Sequence, residues 1–502
     1  MTVSRFLTLA MTGIMTLTMH LTAQTFDGYT FVYSGKKAYL YDMDRTLIHT
    51  WTSQYSIVGC CDLLRDSSII VASSSRSCDW SGGMLALTHG HFQIINWEDE
   101  VTWDYQYCSE DYMPHHDMEP VYRTNDPAEK PTFLIPCYSS IWGDKIVELR
   151  PTGATTAEVI WEWVAINHTC ESNCTDKPEV FDKSKGGKGC FNNTSDAMHV
   201  NSVSYNRRLD QLVVSNKGFN EMIIIDHSTT TEEARTTSGG RYGKGGSILY
   251  RWGNPKNYLS SGTEELDGQH GCCWVHDTMP GTILPIPGAG NFLAVDNGGR
   301  RVLEIECPGN RDGVYPRNSG QPFEPSELKW EYAPNGLQGN EGSIQKLPNG
   351  NYLICTGGAG GFGKTTFGGG GFFSGSRIYE VTEGKDTVWS LSDFGTSCEG
   401  YRFAYGYLGG STKTTRTKNA AVTALKMNVS VAKGSGRVHI SVKNAARDAR
   451  VSLFSADGRA IVKNLAPVRT NTWEPGSLTA GLYFVRINSA GNVISDCILI
   501  QR

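Results

Sequence analysis

A chain of 502 residues is long enough for one large domain and a small one. Its net charge of -5 offers no electrostatic footprint for nucleic acid, so no nucleic-acid partner is expected. Only 19% of the residues are charged and 56 are glycine, which suits a turn-rich β protein and disfavours a helical one.

Residues 1–23 read as a signal peptide. Arg5 supplies the positive start, residues 6–19 the apolar stretch, and Leu21-Thr22-Ala23 a cleavage site before Gln24. The apolar stretch is too short and too rich in threonine to span a bilayer, so an exported, soluble mature protein is expected. All 14 cysteines lie in that mature part, as in a protein of an oxidising compartment, and some are expected to form disulfides.

Short β-branched or aromatic strands then recur at residues 29–34, 68–73, 132–137, 211–215, 291–295 and 351–355. Each is followed by a second strand, in turn KAYLYD, GMLALT, KIVELR, EMIIID, RVLEIE and RIYEVT, and each unit ends on a tryptophan: Trp51, Trp103, Trp161, Trp252, Trp330 and Trp389. Six such units cannot bury their apolar faces singly, and stacking around a ring solves this, so residues 24–410 predict a six-bladed β-propeller. Residues 397–408 are strand-like and come after the sixth tryptophan. They predict the missing innermost strand of the first blade, with Arg402 near the axis.

Three histidines fall at one phase of the repeat: His116 in MPHHDMEP, His199 in AMHVNSVSY and His276 in WVHDTMPG. Equivalent positions of a closed ring point at one axis, so the three imidazoles are expected in one pocket. A metal site is the other reading of such a cluster, but no CxxC spacing is present, and no metal is expected. GAGGFGKT, within a glycine-rich run at 357–375, fits the phosphate-loop pattern, but TTFGGGGFFSG follows where a helix is required; it reads as a loop at a channel mouth. After residue 410 come a polar linker at 411–424 and a small β-sandwich at 425–502, whose strands alternate apolar and polar. The fold class is thus all-β: a six-bladed propeller followed by a small C-terminal β-sandwich.

The motifs LYDMDRTLIHTW, HHDMEP, HVNSVSYN with LVVSNKGFNE, ILYRWGNP, VHD with PGAGNFLAVDNGG, and EGSIQKLPNGNYLI occur in order across roughly residues 28–410. In them the chain resembles the bacterial arylsulfotransferases, six-bladed propellers that move a sulfuryl group between phenols without a cofactor. The resemblance implies a phenolic sulfate donor, a phenol acceptor and ping-pong transfer through a sulfohistidine. It makes His276 the nucleophile by its spacing to PGAGN, with His116 and His199 assisting. His270 in GQHGCC is the competing alignment. Where the family has arginine in S-x-R, this chain has Ser215-Asn216-Lys217, and Lys217 keeps the charge without the two-pronged grip. His270, Asn201, Asn297 and Arg402 complete the expected substrate-binding set. SLFSADGRAIV and GLYFVRI resemble the sorting domains of type IX secretion. That implies the type IX machinery as partner and a secreted or surface-held protein; the oligomeric state is left open. A non-catalytic surface propeller that binds a glycan or phenolic ligand is the alternative function.

Overall fold

The computed structural model describes residues 25–408, apart from 75–77, 81–87, 127, 187–195, 260, 281, 283, 310, 338–340, 358–374 and 398. It also describes seven strands between 426 and 500. The expected signal peptide, the expected linker and the phosphate-loop-like run with its phenylalanines lie outside the described residues.

Six antiparallel sheets form a six-bladed β-propeller. Blade 2 runs outward through Ile57–Leu63, Ile69–Ser73, His91–Ile95 and Val101–Gln106. Blade 4 runs through Val200–Asn206, Gln211–Asn216, Glu221–Asp226 and Tyr250–Trp252. Blade 5 runs through His270–Trp274, Phe292–Asp296, Arg301–Ile305 and Trp330–Tyr332, and blade 6 through Ser343–Lys346, Tyr352–Cys355, Ile378–Val381 and Thr387–Leu391. Blade 3 has a broken innermost strand, Tyr112–Pro114 and Glu119–Val121, paired with Thr132–Ser139 and followed by Asp144–Gly153 and Thr156–Val164. In blade 1 the innermost strand is Gly400–Phe403, from the far end of the ring; it pairs with Tyr29–Ser34, as the sequence predicts.

The second strand of each blade is buried on both faces, which is why it reads as a continuous apolar run. The cores lie between blades. Phe31 of blade 1 shares a core with Ile69 of blade 2, Ile70 with Phe133 of blade 3, and Trp163 with Val214 of blade 4. Val213 shares one with Phe292 of blade 5, Val295 with Ile354 of blade 6, and Leu353 with Val32 of blade 1.

The tryptophans tie each blade to the next. Nε1 of Trp103, Trp161, Trp252, Trp330 and Trp389 donates to Thr156 O, Thr229 Oγ1, Pro325 O, Glu383 O and Met43 O of the following blade, at 2.9–3.1 Å. The indole so combines a large apolar area with one directed bond. Trp51 packs edge-on against Trp97 and His49.

Closure concentrates on Glu380. Its carboxylate accepts from Phe26 N (2.6 Å), Asn351 Nδ2 (2.8 Å) and Arg402 Nη1 (3.1 Å). Both charges are fully buried. Arg402 also donates to Thr30 Oγ1 and Phe26 O and stacks on Trp389. This corrects the sequence expectation for Arg402. Its backbone is in the innermost strand, but its side chain is committed between blades 6 and 1.

Two more sheets follow the propeller: Lys426–Val431, Arg437–Lys443 and Thr472–Ser477; and Ala460–Leu465, Arg450–Ser455, Gly481–Ser489 and Asn492–Ile500. Val438, Ile440 and Trp473 of the first share one core with Val451, Leu453 and Val485 of the second, giving the expected sandwich.

Breaking the closing pair strands a buried guanidinium. Glu380→Gln is expected to lower stability by about 3 kcal/mol, read from urea midpoints. A loss under about 0.5 kcal/mol would show that the ring closes without this pair.

Candidate active site

The innermost strands of blades 3, 4 and 5 are each irregular where their histidines sit. In blade 3 the ladder breaks between Pro114 and Glu119, and His116 takes a left-handed φ of 59°. In blade 4 a bulge follows Val200, and His199 just before it has φ 50°. In blade 5 a bulge lies between His270 and Cys273, and Gly271 takes the left-handed place with φ 56°. Bulges re-aim side chains, and left-handed non-glycine residues cost of order 1 kcal/mol each, so these kinks are features of the site.

They gather His116, His199 and His270. Ring centroids are 4.6 Å apart for His116 and His199, and 6.5 Å for His116 and His270. His276 does not join them. It follows the opposite end of the strand that His270 begins, and its charged neighbours are Asp277 and Arg207. The spacing argument failed because blade 5 joins its first two strands through residues 275–291, whereas blade 4 uses 207–210.

Lys217 is half-buried beside the cluster, in the single turn Lys217–Phe219. Its charge acts on both His116 and His270. Gly218 allows this turn: a Cβ there would stand 2.3 Å from Ala197 O, and Gly218 N donates to Met198 O at 2.6 Å. The turn is thereby locked against the residues that lead into His199.

The expected asparagines act on the histidines. His270 Nδ1 is 2.7 Å from Asn297 Oδ1 and 3.0 Å from Gly268 O. A carbonyl can only accept, so Nδ1 carries the proton and Nε2 the lone pair. Asn297 Nδ2 donates in turn to Glu341 O (3.1 Å). Asn201 Nδ2 donates to Gln269 O (2.7 Å), tying blade 4 to the residue before His270; its Oδ1 is buried without a hydrogen-bond partner.

Three residues absent from the sequence expectation complete the surroundings. Asp196 Oδ1 is 2.6 Å from His199 Nδ1. His115 Nδ1 is 2.7 Å from His116 Nδ1, and Asp144 Oδ2 lies 3.6 Å from His115 Nε2. The His-His doublet was the visible signal for His115. Asp144 and Asp196 gave none, because they reach the histidines only through blade packing.

Burial, then the charge of Lys217, pushes His270 down to about 3. Burial, then neighbouring His199, holds His115 and His116 well below the ordinary imidazole range. The rings are therefore neutral at neutral pH, and a neutral imidazole is a nucleophile and base.

Beyond the cluster the channel holds a cavity of about 230 Å³. Asp117, Ser202 and Gly271 line it, the residues directly after His116, Asn201 and His270. Asp62, Glu119, Glu399 and His276 line it too. Burial pushes Asp62 up to about 8 and Asp117 up to about 6, and Glu119 and Glu399 well above the usual carboxylate range. Among the described residues, the one group of at least three His, Cys, Asp or Glu ligand atoms within 4.8 Å is Cys170, Cys174 and Asp182; its two sulfurs are joined in a disulfide.

No family model matches the chain, and no curated protein matches it either. Solved β-propellers do. The periplasmic gluconolactonase PpgL of Pseudomonas aeruginosa is similar at 12% identity and TM-score 0.35, over 93% of this chain and all of that one. Apo AztD of Citrobacter koseri is similar at 7% identity and TM-score 0.34, over 75% of this chain and 98% of that one. The propeller domain of Cps50 (Swd1) from Myceliophteria thermophila gives 9% identity and TM-score 0.35, over 74% and 85%.

Two histidines, His89 and His270, are held at about 3 by burial. An unfolded histidine takes up its proton near 6.5, so the unfolded state binds more protons as the pH falls from there toward about 3. The contribution of these two rings is expected to be full above about 6.5 and to drop below it, by up to about 1.4 kcal/mol per pH unit for each ring, against the opposite slope of the buried carboxyls Asp62 and Asp117. The difference in urea midpoint between wild type and His270→Phe at pH 7, 6 and 5 isolates one ring's share.

Proposed function

We propose that the protein is an exported aryl-sulfate sulfotransferase and that His270, in place of His276, is its nucleophile. The observation that carries this reading is the His270 tautomer: Gly268 O and Asn297 hold Nδ1–H, leaving the Nε2 lone pair beside His116, His199 and Lys217. Nε2 attacks the sulfur of the donor ester, the S–O bond to the aryl group breaks, and a phenolate departs. The sulfohistidine then passes its sulfuryl group to the acceptor phenol, and Nε2 is released.

A sulfuryl group carries its charge on three oxygens, so fixed positive charge and hydrogen-bond donors lower the barrier. Lys217 supplies the charge. His199 adds its ring beside His116, with Nδ1 donating to Asp196. Histidines and one lysine suffice for this chemistry, so no cofactor is called for. Asn201 and Asn297 position His270 and need not touch substrate. The disulfides Cys78–Cys108 and Cys170–Cys174 fit an oxidising compartment. With the leader and the C-terminal sandwich, they support export, with the type IX machinery as partner.

The test uses p-nitrophenyl sulfate with and without phenol, following nitrophenolate release and a sulfuryl adduct on the peptide that holds His270. His270→Ala should lower turnover by about 1000-fold or more, and His276→Ala by no more than about threefold. The reverse pattern would return the nucleophile to His276. A folded protein that turns over no sulfate ester, yet retains a phenol or glycan on equilibrium dialysis, would leave only the binding function.

A further inference from the structure

Behind the cluster a second line of polar groups runs away from the channel. His115 is fully buried, with its ring stacked on Tyr138 at 3.5 Å and 11°. Its backbone N donates to Pro136 O (3.1 Å), and Asp117 N donates to its carbonyl (2.8 Å), so the ring is held from both sides of the break in blade 3. Its Nδ1 is 2.7 Å from His116 Nδ1, so one proton must lie between the two rings, belonging to one or the other. Its Nε2 has no hydrogen bond and faces Asp144 Oδ2 at 3.6 Å, within reach of a small adjustment. Asp144 is fully buried as well. Its Oδ2 accepts from Val200 N (2.7 Å), next to His199, and its Oδ1 has no hydrogen-bond partner.

We propose that Asp144, His115 and His116 form a proton wire that gives one proton to the departing phenolate and recovers it from the acceptor phenol. The proposal rests on the sulfuryl-transfer reading above. His116 is the member that meets substrate; His115 and Asp144 are positioning residues that act through it.

At rest the Asp144 carboxyl carries the proton, His115 is protonated on Nδ1, and His116 on Nε2. When the S–O bond breaks, the Nε2 proton of His116 passes to the phenolate oxygen. The Nδ1 proton of His115 passes to Nδ1 of His116, and the Asp144 proton to Nε2 of His115. Asp144 is now a carboxylate, and His116 presents a lone pair at Nε2. The acceptor phenol loses its proton to that lone pair as its oxygen attacks sulfur, and every shift runs backward. Both rings stay neutral throughout, and one proton is lent and returned. Burial sets the resting state and the return: it holds both rings well below the ordinary range and the Asp144 carboxyl well above it, so the carboxylate formed in mid-cycle is driven to take its proton back. The charged and titratable groups that face His116 are His199, His270 and Lys217, and those that face His115 are His199, Asp196 and His89.

The full chain tests the wire through two donors. Phenyl sulfate releases a basic phenolate that needs a proton; p-nitrophenyl sulfate releases an acidic one that barely does. His115→Phe keeps the ring on Tyr138 and removes both nitrogens. Single-turnover sulfuryl transfer to the enzyme should fall about 100-fold with phenyl sulfate and about threefold with p-nitrophenyl sulfate. A purely structural role would slow both donors by one factor, and that result overturns the proposal. Should His115→Phe fail to fold, Asp144→Asn is read the same way. Nitrogen-15 spectra of histidine-labelled wild type give a second readout. Neutral rings at pH 6–8, protonated on Nε2 at His116 and Nδ1 at His115, support the wire. An imidazolium at either ring in an active enzyme overturns it alone. Absence of sulfuryl transfer by the wild type removes the proposed function and the phenolate step with it.

Discussion

The buried pair of Arg402 and Glu380 is the interaction on which the rest of the ring depends. A propeller is a linear chain of blades until its last strand pairs with its first sheet. Here Gly400–Phe403 completes a sheet whose other strands lie almost the whole ring away in sequence. Burying both charges costs several kcal/mol unless each is fully coordinated. Glu380 meets that condition by also binding Phe26 N and Asn351; Arg402 is held by Thr30, Phe26 O and the face of Trp389, with Nη2 left without a hydrogen bond. The pair therefore specifies which strand closes the ring as well as holding it. Blade 5 repeats the device at the same position, where Glu304 binds Asn291 and Lys346.

A closed ring makes the site possible. Each blade sends one innermost strand to the axis, and the histidines come from three of them. Their geometry is set by irregularity in those strands: the break in blade 3 and the bulges in blades 4 and 5. The left-handed conformations of His116 and His199 persist because the surrounding contacts over-determine them. Gly59, whose Cβ would stand 2.5 Å from His116 O, shows how closely blade 2 approaches the same kink.

The channel separates two electrostatic worlds. At one level lie the imidazoles beside Lys217, of which burial keeps His116 and His270 neutral. Immediately beyond them Asp62, Asp117, Glu119 and Glu399 are held toward their neutral forms by burial. Low dielectric drives both sets away from charge. Groups of opposite acid-base character can therefore sit side by side without collapsing into ion pairs.

Much of this was legible in the chain itself. Doubly buried second strands read as apolar runs, and outer strands carry a tryptophan each, because a blade must bury both faces and still tie itself to a neighbour. Six such signals gave the blade number, and the strand after the sixth tryptophan gave the closure. His116 and His199 were legible because short motifs keep a histidine at a strand start. His270 was obscured by a long hairpin that displaced the repeat spacing, and Arg402 was placed near the axis because a strand's position says nothing of where its side chain is spent. Local pattern could settle fold class, blade count and most strand limits, since those follow from which residues avoid water. It could not settle which histidine joins the cluster or who holds each ring nitrogen. Those contacts join residues such as Asp144 and His115, or Asn201 and Gln269, that become neighbours only when the blades pack and the ring closes.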